Sequence, residues 1–126
     1  MSHTTQPTVL IVEDTQDVAN IIQITLRHLP INLVHVTTGQ AAIEQTQQLQ
    51  PELIILDIGL PGMDGWETLD IIRQNPKTAD IPVAVITAYS DAENRRTGKL
   101  YQVFAYMPKP ITPGQLRETV TRALGL

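Results

Sequence analysis

The chain has 126 residues, of which 42% are apolar and 17% charged, enough to build one hydrophobic core and too few for a second domain of ordinary size. Cysteine is absent, which excludes a disulfide framework, a thiolate nucleophile and a thiolate metal site. The net charge is −4 with acidic and basic residues reading as interleaved, and no apolar run approaches the ~20 residues that span a bilayer, so neither a nucleic-acid surface nor a membrane segment is expected.

Residues 1–7 form a polar lead-in without a signal pattern, ahead of a single domain over 8–126, and a cytoplasmic protein is expected. Val9-Leu10-Ile11-Val12 is short, apolar and β-branched, and reads as the first strand. A helix beginning near Thr15 follows, with Val18, Ile21, Ile22, Leu26 and Leu29 on one face. Leu33-Val34-His35-Val36 is the second strand. Ala42, Ile43, Thr46 and Leu49 then mark a helix that Pro51 stops. Leu53-Ile54-Ile55-Leu56 is the third strand, and a helix from around Trp66 carries Leu69 and Ile72 inward.

Val83-Ala84-Val85-Ile86 is the fourth strand. The polar segment from Asp91 to about Gln102, interrupted by Gly98, is expected to be helical, opened by a capping box of Ser90 and Glu93. Phe104-Ala105-Tyr106-Met107 is placed as a fifth strand by its spacing. The last helix has Thr112 as N-cap, Pro113 at its first position and Gln115 completing the box, with Leu116, Val120, Ala123 and Leu124 inward. Three of the first four strands are almost continuously apolar, as parallel strands covered on both faces are. Right-handed crossovers then predict a five-stranded doubly wound parallel sheet, order 2-1-3-4-5, with five helices on its two faces.

In such sheets ligands bind beyond the carboxyl ends of the strands. The first strand ends in Glu13-Asp14, the third in Asp57, the fourth in Thr87-Ala88, and the fifth leads into Lys109-Pro110. Singly, each has an ordinary reading as a cap, a strand end or a solvated side chain. Together they pose an energetic question, because two like charges ~4 Å apart at an effective dielectric of ~20 repel by about 4 kcal/mol. A cation or a protonation event has to use such a cluster. Oxygen ligands without cysteine or convergent histidine favour a hard cation, and Mg²⁺ suits a site completed by phosphate, with Mn²⁺ as a substitute. A carboxylate at a rigid strand end can attack phosphorus, with Lys109 neutralising charge and Thr87 donating to a phosphoryl oxygen.

The segments Leu10-Ile11-Val12-Glu13-Asp14, Asp57-Ile58-Gly59-Leu60-Pro61-Gly62-Met63-Asp64-Gly65, Thr87-Ala88 and Tyr106-Met107-Pro108-Lys109-Pro110 carry a family likeness. Over nearly its whole length the chain resembles the receiver domains of response regulators, the phosphoacceptors of two-component signalling, which have a flavodoxin-like fold. The resemblance implies that Asp57 takes a phosphoryl group from a histidine kinase or phosphotransfer protein. It implies Mg²⁺ held by Asp14, Asp57 and the Gly59 carbonyl, with Glu13 acting through water. Thr87 and Lys109 would hold the phosphoryl oxygens, Thr87 and Tyr106 would form the switch, and the Lys109–Pro110 bond would be cis. Such a protein is a switch that promotes its own phosphorylation and dephosphorylation, not a turnover enzyme. Tyr89, two positions beyond Thr87, is expected to shield the acyl phosphate from water.

Three other readings fit less well. A phosphatase with an aspartyl-phosphate intermediate needs a second carboxylate two residues after the nucleophile, where this chain has Gly59. A flavin carrier needs a phosphate loop after the first strand, where this chain has carboxylates. A phosphorylation-independent docking module on the same fold remains the alternative. His3, His28 and His35 are too scattered to form a metal site.

Overall fold

The alternation of apolar runs with helical stripes becomes a three-layer sandwich. In a computed structural model, which describes residues 6–60, 62–88 and 92–126, five strands alternate with five helices: β1 (Thr8–Val12), α1 (Gln16–Leu26), β2 (Asn32–Val36), α2 (Gly39–Leu49), β3 (Leu53–Asp57), α3 (Gly65–Gln74), β4 (Val83–Thr87), α4 (Ala92–Leu100), β5 (Ala105–Pro108) and α5 (Pro113–Leu124). Every strand pairing is parallel and the order is β2-β1-β3-β4-β5, as the sequence predicts.

The pleat sorts the core onto two faces. Leu10, Val12, Ile54 and Leu56 turn to one side, where Ala42 and Ile43 of α2 and Leu69 and Ile72 of α3 close over them. Val9, Ile11, Leu53 and Ile55 turn to the other, under Ile22 and Leu26 of α1 and Leu116 and Val120 of α5. β3 and β4 are buried at every position, and this explains their unbroken apolar runs. Each fully buried aliphatic side chain contributes roughly 1.5–3 kcal/mol, so β3 and β4 are firmly held.

Two side chains placed inward by periodicity face out. Ile21 is 50% exposed, because the buried stripe of α1 runs through Ala19, Ile22 and Leu26 and Ile21 lies beside it. Leu49 is 40% exposed as the last residue of α2, where Gln50 turns the chain at φ 49°. β5 starts one residue later than expected: Phe104 bonds through its N–H to the Val83 carbonyl at 2.7 Å but lies outside the strand.

The starts of α2, α3 and α5 follow their capping chemistry, whereas Thr15 ahead of α1 makes no side-chain cap bond. Thr38, Asp64 and Thr112 each accept a hydrogen bond from the backbone N–H three residues on. The box proposed at Ser90 lies outside the described residues, as does Tyr89. Gly65 opens α3 directly beneath the β3–α3 loop, where a Cβ would meet the Asp57 carbonyl oxygen at 2.7 Å. Only glycine lets α3 begin so close to the strand end that carries Asp57. The Lys109–Pro110 peptide is cis, as the family likeness implies.

Candidate functional site

The carboxyl ends of β1, β3 and β4 and the segment after β5 converge on one edge of the sheet. Asp57 is the last residue of β3 and Glu13 follows the last residue of β1, both in the fully packed centre of the molecule. Asp57 is 4% exposed and Glu13 fully buried, while Asp14 faces solvent. Carboxylate oxygens of Glu13, Asp14 and Asp57 lie within 4.8 Å of one another. Lys109 reaches across from β5, its ammonium 3.0 Å from Glu13 Oε1 and 3.0 Å from Asp57 Oδ2.

The contacts differentiate the oxygens. Asp57 Oδ1 accepts from the Gly59 N–H at 2.9 Å, and Oδ2 accepts from Lys109. Glu13 Oε2 accepts from the Thr15 N–H at 3.1 Å. Glu13 Oε1 is buried and has the Lys109 ammonium as its ion-pair partner. Burial pushes the Glu13 carboxyl above the ordinary carboxylate range, and the neighbouring Asp57 charge adds to this, against Lys109 and the Thr15 N–H. Burial acts to lower the Lys109 ammonium, but its contacts with Glu13 and Asp57 outweigh that and raise it.

Three converging carboxylates, two of them buried, against one ammonium fit a hard divalent cation. Thr87 closes β4, fully buried, and its carbonyl accepts from the Lys109 N–H at 2.8 Å, which ties the lysine segment to the strand end. Tyr106 is the second residue of β5. It pairs with Val85 in register, packs with the α2–α3 face of the core, and sits 5.2 Å under the Arg95 guanidinium. Its ring lies against Gly98, where a Cβ would meet it at 3.2 Å.

Several contacts escape sequence reasoning. His35 Nε2 lies 2.8 Å from the Glu13 carbonyl oxygen. Trp66 stacks on Tyr101 with ring centroids 5.9 Å apart and donates to Asn94 at 2.9 Å, while the Tyr101 hydroxyl donates to Asp70 at 3.1 Å. These pair residues 22 to 35 positions apart, and only the strand register and helix packing bring them together.

The five-stranded parallel fold with an acidic edge is that of a receiver domain, and comparison with known proteins agrees. The family model described as "Response regulator receiver domain" matches residues 9–121. The chain belongs to that family. A crystal structure of a candidate response regulator from Chloroflexus aurantiacus J-10-fl is 30% identical and superposes with a TM-score of 0.88, covering 96% of this chain and 99% of that one. The Mn²⁺-bound form of response regulator Rcp1 is 30% identical with a TM-score of 0.79, covering 92% and 90%. Regulatory protein LuxO of Vibrio cholerae is 33% identical over 113 residues, which are 90% of this chain and 24% of the relative. The chain spans less than half the length of the curated relatives it matches. Among the described residues, no helix is long and apolar enough to cross a membrane.

Proposed function

We propose that the chain is a phosphorylation switch in which Asp57 accepts a phosphoryl group from a phosphohistidine on a partner kinase or phosphotransfer protein, with Mg²⁺ beside it. The observation that carries this reading is the meeting of Asp57 with Glu13, Asp14 and Lys109 at one strand edge. Asp14, Asp57 and the Gly59 carbonyl would hold the cation, with Glu13 acting through water. When bound, the cation supplies neutralisation of the phosphoryl oxygens and of the carboxylates around them.

The protein's own groups divide the remaining work. The Gly59 N–H fixes one oxygen of Asp57, and the other, now against Lys109, attacks phosphorus. An O–P bond forms, the P–N bond of the donor breaks, and its electron pair stays on the imidazole, which takes a proton from solvent. Lys109 passes from Asp57 to a phosphoryl oxygen, and the Thr87 hydroxyl donates to another. Because Tyr106 stands behind the β4 end and against α4, a movement of Thr87 is passed to the surface by repacking rather than by direct contact with phosphate.

The catalytic groups lie on this chain and not on the donor, so acetyl phosphate should substitute for the partner. Intact mass after incubation with acetyl phosphate, with and without Mg²⁺, tests the reading. Wild type should gain one phosphate only with the metal, and Asp57→Asn none. No gain by wild type under any condition would favour the docking module.

A further inference from the structure

Histidine at position 35 is out of character with its surroundings. It follows Leu33 and Val34 and precedes Val36 in a strand that opens on Asn32, on the half-exposed edge of the sheet, where an aliphatic residue would satisfy the packing. Its partner in register is Ile11, so it lies on the α1–α5 side, two residues before the point where β1 gives way to Glu13. From there the ring reaches past the strand end, and Nε2 lies 2.8 Å from the Glu13 carbonyl oxygen. A carbonyl oxygen only accepts, so Nε2 carries the hydrogen.

The consequence falls on the peptide that links the two acids. The Glu13 N–H donates to the Val36 carbonyl at 3.1 Å, one step beyond the regular pairing of β1 with β2. The Glu13 carbonyl is held by His35. Both ends of Glu13 are therefore tied to neighbouring positions of β2, and the Glu13–Asp14 peptide plane is fixed before α1 begins. The Thr15 N–H on Glu13 Oε2 then orients the side chain itself. Without the ring, the holds on this turn that remain among the described residues are those at the Glu13 N–H and the Thr15 N–H, and the Glu13–Asp14 peptide loses the bond at its own carbonyl. Rotation of that peptide moves Asp14, which is exposed and not held by packing, away from Asp57.

We infer that His35 is a positioning residue for the acid pair, holding the Glu13–Asp14 peptide so that both carboxylates face Asp57 and a divalent cation. The inference rests on reading these carboxylates as the cation site. It predicts an effect on cation affinity from a side chain that is not itself a ligand, as outer hydrogen-bond partners of metal ligands commonly show.

Mn²⁺ titration of the full chain, read as the fraction of free Mn²⁺ by its paramagnetic resonance signal, separates the outcomes. His35→Leu removes the donor and should weaken Mn²⁺ binding by roughly tenfold. His35→Gln places an amide nitrogen near the former Nε2 and should stay within about twofold of wild type, whereas His35→Asn is too short to reach the carbonyl and should behave like the leucine variant. Melting in EDTA reports any cost to folding separately, and the two amide variants keep the comparison intact should the leucine variant fail to fold. Asparagine and glutamine variants of equal affinity would overturn the inference, as would a leucine variant that binds like wild type. Wild type that binds no Mn²⁺ would overturn the reading of the site, and this inference with it.

Discussion

Lys109 and Glu13 stand 3.0 Å apart, yet their shifts tell opposite stories about the contact. The raised Lys109 speaks for a favourable pair, and the raised Glu13 for a carboxylate that its site does not fully support. The Glu13 direction governs the cation-free protein, because Glu13 is fully buried whereas the Lys109 side chain keeps 22% of its surface in water. The buried acid is the one with no alternative to its surroundings. Tyr101 gives a simpler titration. Burial raises its hydroxyl above the usual value of about 10, and the hydrogen bond to Asp70 adds to this. A raised folded value means that the native state holds its proton longer than the unfolded chain. The stability this contributes is therefore complete below about pH 10 and is lost as pH climbs through the folded value. Tyr101→Phe should cost about 1 kcal/mol at pH 8, discounted for partial exposure, and the deficit should shrink toward pH 11. Urea unfolding at both pH values measures it, and a deficit constant with pH would contradict the Tyr101–Asp70 bond.

Helix α4 is attached differently from the others. Its one buried residue is Gly98, so apolar burial does little to hold it. It is fixed instead by specific contacts: Trp66 to Asn94, Tyr101 just past its end on Trp66 and Asp70, and Tyr106 in the hollow that Gly98 leaves. Gly98→Ala sets two effects against each other. Helix propensity favours alanine by roughly 1 kcal/mol, while the new Cβ would stand 3.2 Å from the Tyr106 ring and 3.3 Å from Val103. The two should nearly cancel, whereas Gly98→Val, with more bulk and no propensity gain, should cost about 1–3 kcal/mol in urea unfolding. A full 1 kcal/mol gain for the alanine variant would show that the ring moves aside freely. This helix also marks the limit of what sequence reveals. The strands, their order and the Glu13, Asp14, Asp57 and Lys109 edge were legible because apolar runs and the residues directly after them are local signals. Ile21 and Leu49 were misplaced because a stripe gives an angle around a helix but not where its neighbours end. His35 looked idle for a related reason: its role depends on β2 lying beside β1 in one particular register.

Across the whole molecule the charges are segregated, contrary to the interleaving suggested by the overall balance. Up to position 91 there are three Lys or Arg against eleven Asp or Glu, and after it six against two. The acidic majority includes Glu13, Asp14 and Asp57, with Asp17 in the first turn of α1 and Asp64 capping α3. Lys109 is the basic exception drawn in among the carboxylates. The cation-free fold is thus strained where the carboxylates meet, and a bound divalent ion should stabilise the protein as a whole. At a concentration 100 times its dissociation constant, a ligand that binds only the native state adds about 2.7 kcal/mol. For a chain of this size that raises Tm by roughly 10 °C. Asp57→Asn removes one of the three charges while Glu13 keeps its contact with Lys109. The variant should therefore gain about 1 kcal/mol without metal, less than the repulsion of an unscreened pair because Lys109 already offsets part of it. It should also lose most of the Mg²⁺ response. Thermal melts of both proteins in EDTA and in Mg²⁺ give the four values needed. A variant that responds to Mg²⁺ as strongly as wild type would place the stabilising cation elsewhere on the acidic part of the chain, and a variant less stable than wild type in EDTA would mean that the Asp57–Lys109 attraction outweighs the carboxylate repulsion.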